Sequence, residues 1–132
     1  MAKLKDTTIQ NIPVIPSDMI NMDPYRERVF QVPPHYSKTL NISLNAHVLT
    51  RWTIQEELSD GWYLVGIYGN RHLWRVVCKP KTIYFLTPGQ DLSRGDFHTY
   101  IRKANLPCPE MGFYKIIGQV DYRKQQECGE TR

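Results

Sequence analysis

Apolar and polar positions alternate most regularly at residues 39–48, TLNISLNAHV, where Leu40, Ile42, Leu44, Ala46 and Val48 fall on one side and Asn41, Ser43, Asn45 and His47 on the other. A period of two marks a half-buried strand, and one is predicted here. Residues 62–79, WYLVGIYGNRHLWRVVCK, form a second signal: two β-prone runs around Gly69-Asn70. That pair suits the positive φ values of a two-residue turn, so the stretch predicts a hairpin that anchors the sheet. Further strands are expected at 25–32 (YRERVFQV, with Arg28, Phe30 and Val32 on one side), 82–86 (TIYFL) and 113–122 (FYKIIGQVDY).

Two stretches carry helical signals instead. In TIQEEL, 53–58, Thr53 is placed as a cap with Glu56 three residues on, and Asp60-Gly61 would stop the turn. In SRGDFHTYIRKAN, 93–105, Ser93 stands as N-cap, with Phe97, Tyr100, Ile101 and Ala104 at spacings of 3, 4 and 7. Strands mixed with two short helices predict a single α+β domain built on a largely antiparallel sheet of about five strands.

Proline sets the domain boundaries. Five of the nine prolines (Pro13, Pro16, Pro24, Pro33, Pro34) lie in the first 34 residues, where they remove donors and restrict their neighbours. An extended proline-rich arm is expected over 1–35, a core over 36–122 and a polar tail over 123–132. The 132 residues, 41% of them hydrophobic, with three Trp, eight Tyr and four Phe, are enough for one core. No apolar run reaches the ~20 residues of a spanning helix, and the lysines of MAKLKDTTIQ precede no apolar segment. A soluble chain made in the cytosol is the expectation.

Chemistry is sparse. Cys78, Cys108 and Cys128 form no C-x-x-C pair and have no histidine at metal spacing, which fits free thiols in a reducing compartment. His35, His47, His72 and His98 fall in different elements, Glu56 and Glu57 diverge on a helix, and no glycine-rich phosphate loop is present. The reading is a non-enzymatic protein with no metal or cofactor.

Charge changes the picture more. Residues 61–90 hold no acid, while Arg71, Arg75, Lys79 and Lys81 add four cations, as many as the whole-chain surplus of +4. On a strand, Arg71, Leu73, Arg75, Val77 and Lys79 share one face. Successive residues of such a face stand about 6.6–6.8 Å apart, close to the phosphate repeat of a nucleic-acid strand. A polyanion-binding row is therefore predicted, for anionic lipid or RNA, against the alternative of a charged edge that only prevents aggregation.

Pro33-Pro34-His35-Tyr36 matches P-P-x-Y, a polyproline II ligand of WW domains in which Pro33, Pro34 and Tyr36 make the contacts. The alternative is a stiff corner before the next strand. With this motif, the alternating strand, the hairpin YLVGIYGNRHLWRVV and the later MGFYKIIGQV, the chain resembles the matrix proteins of rhabdoviruses over about residues 33–80 and 112–120. The resemblance implies a viral structural protein of the virion and the host cytoplasm, peripheral at the membrane. Its partners would be anionic membrane or viral ribonucleoprotein, a host WW-domain ubiquitin ligase, and further copies of itself. The chain is shorter than familiar members and has only Lys3 and Lys5 where they carry a dense lysine run. A small RNA-binding regulator or silencing suppressor is the alternative reading of the same basic face.

Overall fold

The computed structural model describes residues 12–40, 42 and 46–121. Among the described residues eight strands, not the five or so expected, join one sheet: β1 (Val14–Pro16), β2 (Glu27–Gln31), β3 (His47–Thr53), β4 (Gly61–Ile67), β5 (Asn70–Cys78), β6 (Thr82–Leu86), β7 (Thr99–Arg102) and β8 (Met111–Asp121). Their order is β2-β3-β8-β4-β5-β6-β7, with antiparallel pairing along this path and β1 parallel to the far end of β8. Gly118 permits that last approach, since a Cβ there would come within 2.6 Å of Ile15 Cδ1.

The central strands are buried on both faces, which is why β4 reads as the near-continuous run WYLVGI. Tyr63, Val65, Trp74, Val76, Ile83, Phe85 and Phe113 make one cluster; Val32, Leu40, Val48, Leu64, Leu73 and Ile116 make a second on the opposite face. Sheet curvature closes both. Phe113 in β8 and Phe85 in β6 are three strand places apart, about 14 Å on a flat sheet, yet their rings stack with centroids 5.7 Å apart. The β6-β7 end must therefore curl over the first cluster. At the other end Phe30 of β2 meets the Tyr114 ring edge-on at 5.3 Å, so the β2-β3 end folds over the second. Between the partners of Leu49 and Thr50, β8 carries one extra residue, Ile117, a bulge that sharpens the bend.

The sheet-rich, largely antiparallel single domain is as expected; its helices are not. Thr53 ends β3 opposite Phe113 rather than capping a helix, and Gln55–Glu57 is a single 3-10 turn. Tertiary contacts win over the capping box: Gln55 Nε2 donates to the carbonyls of Cys108 (2.8 Å) and Met111 (2.9 Å), and the Cys108 N–H donates to Gln55 Oε1. Residues 93–105 also form no helix. Asp91, not Ser93, caps a 3-10 turn at Leu92–Arg94, and Gly95 leaves it at φ +75°; Thr99–Arg102 then pair with β6 as β7. A short segment cannot meet the cost of helix nucleation when an open sheet edge offers its backbone partners.

The alternating stretch 39–48 contributes only His47 and Val48 to β3. Its first two residues, Thr39 and Leu40, instead end a single α-helical turn, α1 (Ser37–Leu40), and Asn41 and 43–45 lie outside the described residues. Leu40 and Val48 both reach the second cluster, as the apolar side of the alternation requires. The hairpin turn sits one residue earlier than predicted: Ile67 pairs with Asn70, leaving Tyr68 (φ +50°) and Gly69 (φ +86°) as the loop. The proline-rich arm supplies β1, β2 and the buried Val32. The tail at 123–132 lies outside the described residues.

Candidate polyanion-binding face

Strand β5 alternates as its sequence requires. Trp74 and Val76 enter the first cluster and Leu73 the second, while Arg71 and Arg75 emerge on the side of Leu73 and are exposed. Lys79 and Lys81, also exposed, follow at the turn into β6. Among the described residues none of the four has a carboxylate within ion-pairing distance. Arg71 and Arg75 occupy every second place of their face, about 13 Å apart along β5, and Lys79 follows just beyond its end. The row therefore matches alternate phosphates of an extended strand, not each one.

Each cation has a different setting. The Arg71 guanidinium lies 4.4 Å from the Phe30 ring centroid, a cation–π contact that leaves its outer edge to solvent. Arg71, Gly66 and Gly112 are register partners across β5, β4 and β8, and the two glycines leave this stretch of the face without side chains. Arg75 and Lys79 line a shallow cavity of about 310 Å³ with Val77, Leu86, Asp91 and Ser93. The Ser93 hydroxyl (2.7 Å) and backbone N–H (3.0 Å) both donate to Asp91 Oδ1. These bonds, with Arg94 and Arg75 nearby, hold the Asp91 carboxyl below its ordinary value. Asp91 thus stays ionised and partly offsets Arg75, leaving Arg71, Lys79 and Lys81 as the strongest sources of positive field.

The sequence did not point to a second group on the same face, Tyr25, Arg26, Arg28, Trp52 and Tyr114, which line a recess of about 290 Å³. Trp52 and Tyr114 are direct partners between β3 and β8, and the Trp52 N–H donates to the Arg26 carbonyl. Glu27, between the two arginines, points to the other side, where Arg51 binds it through Nε (3.0 Å) and Nη2 (2.7 Å) and the Asp23 N–H donates to it (2.9 Å). The backbone bond from Asp23, then Arg51, lowers the Glu27 carboxyl below its ordinary value. These neighbours leave Glu27 only 8% exposed although it sits at the sheet rim, so hydrogen bonding outweighs desolvation. No local sequence signal joins residues 25–28 to 52 and 114; only strand register does.

Pro33, Pro34 and Tyr36 form a turn in this fold. The Tyr36 N–H donates to the Pro33 carbonyl at 2.9 Å, and Pro34–Tyr36 is a 3-10 turn that runs into α1. The half-buried Tyr36 ring packs against the second cluster and touches His35 at 4.1 Å between centroids. This is the geometry of a corner; an extended ligand would require the turn to open.

The remaining reactive groups are dispersed. His72 and His98 flank the Trp74 indole at 5.3 and 5.1 Å. Cys78 Sγ donates to the Leu58 carbonyl, and burial, with Asp60 beside it, pushes its thiol up. Among the described residues no three His, Cys, Asp or Glu side chains are grouped to hold a metal, and no helix is long and apolar enough to cross a membrane. Compared with protein-family models, curated proteins and solved structures, the chain matches none.

Proposed function

We propose that this chain is a non-enzymatic structural protein of the matrix type that holds an anionic membrane surface or ribonucleoprotein through Arg71, Arg75, Lys79 and Lys81. The observation that carries the reading is the exposure of four cations on one acid-free hairpin without an ion-pairing carboxylate among the described residues. Arginine and lysine that serve stability alone gain by pairing; an unpaired row keeps its field available to a partner. Docking of Pro33, Pro34 and Tyr36 on a host WW domain belongs to the same reading, with one condition. The 33–36 turn must open and release Tyr36 from the second cluster, so the ligand is latent in the folded domain. The RNA-binding regulator is favoured by a separate feature, the rings beside Arg26 and Arg28.

The test is binding to phosphatidylserine vesicles and to RNA before and after replacing Arg71, Arg75 and Lys79 together by Gln. Each cation near an anionic surface contributes roughly 1 kcal/mol, so the triple variant should lose about two decades of affinity. Unchanged affinity would make the row a solvated face; it cannot be the charged edge weighed above, because β5 is paired on both sides, with β4 and with β6.

A further inference from the structure

We infer that the recess walled by Tyr25, Trp52 and Tyr114 and edged by Arg26 and Arg28 takes one base of a single-stranded nucleic acid, whose backbone then continues toward Arg71 and the basic row. The inference deepens the proposed function and rests on it, because the row supplies the nearby phosphate contacts. Three observations lead to it.

First, the rings are available. Tyr25 is 90% exposed and Trp52 41% exposed, beside a partly buried Tyr114, and large aromatics left open together mark a contact surface. The turn presenting Tyr25 is preformed: the Tyr25 N–H donates to Asp23 Oδ1 at 3.0 Å, and the Arg26 and Glu27 N–H groups donate to the Asp23 carbonyl. Second, the charge is right. Strand alternation sends Glu27 to Arg51 on the opposite side, so Arg26 and Arg28 keep no ion-pairing carboxylate among the described residues. A guanidinium beside an aromatic face suits a base with an attached phosphate, because one group stacks while the other forms charge-assisted bonds. Third, the recess adjoins the row. Tyr114 touches Phe30, Phe30 lies under Arg71, and the Gly66-Gly112 pair keeps the floor between them low. The recess of about 290 Å³ between the aromatic side chains has room for one flat ring.

The experiment compares a labelled oligouridine of about ten nucleotides, within the site size of small single-strand binders, with an abasic oligomer of equal length. The full chain should prefer the oligouridine by roughly tenfold, the scale of one stacked base. Tyr25→Ala, at a side chain too exposed to threaten folding, should remove most of that ratio and leave abasic binding unchanged. Trp52→Ala should do the same, whereas Arg75→Gln with Lys79→Gln should weaken both oligomers alike. Equal affinity for the two oligomers, or a ratio that survives Tyr25→Ala, overturns the recess as a base site. Binding to anionic vesicles with none to either oligomer overturns it too, yet leaves the polyanion reading standing. Failure to bind vesicles and oligomers removes both.

Discussion

Tyr36 bears on both readings of its motif. As a free WW ligand its truncation would cost the fold little, but its ring packs against the cluster of Val32, Leu40 and Val48. Tyr36→Ala should therefore destabilise the domain by about 2 kcal/mol, less than a fully buried aromatic because the ring is only half covered. Urea denaturation checks this, and a change near zero would mean that the ring is not part of the core. Glu27 offers a second test with a defined sign. Its folded carboxyl titrates below the ordinary 4.5, so its contribution is complete above that pH and is lost as pH falls through the lowered folded value. With Arg51 half exposed and screened, Glu27→Gln should cost about 1 kcal/mol at neutral pH. The difference from the parent should shrink below pH 4.5; a difference independent of pH would assign the loss to packing rather than charge.

Among the elements, the hairpin is the best determined and yet locally strained. A two-residue loop with positive φ at both Tyr68 and Gly69 has the twist of a type I′ turn, which favours Asn-Gly. Tyr68 is 82% exposed, so its ring gains nothing from packing while its backbone stands in a region costly to residues with a Cβ. Tyr68→Asn should raise stability by about 0.5–1 kcal/mol, seen as a higher melting temperature, and a fall would contradict the turn assignment. Legibility followed the same division. Strands β2, β4, β5, β6 and β8 were readable because β-prone runs bounded by turn residues sit where their own burial pattern requires strand. The segments 53–58 and 93–105 misled because their caps and spacings are local signals. Gln55 is held by the Cys108 loop, and Thr99–Arg102 are held by β6, each a partner distant in sequence.

At the scale of the whole molecule, one sheet encloses two clusters by curling its ends over opposite faces, and this curl brings residues from β2, β3, β5 and β8 onto a common basic surface. The hairpin part of that surface was visible in sequence because Arg71, Arg75, Lys79 and Lys81 lie in one acid-free run. The recess part was not, since Trp52 and Tyr114 are separated by 62 positions in sequence and become neighbours only through the β3-β8 register. On the proposed reading the row is a contact surface for phosphate, and salt dependence tests this. The affinity of the chain for single-stranded RNA should fall with log salt at a slope set by its phosphate contacts, about 0.7 per contact. Replacing Arg71, Arg75 and Lys79 by Gln should flatten that slope by roughly 2. A triple variant whose slope equals that of the parent would contradict the claim, because the phosphates would then be held elsewhere on the molecule.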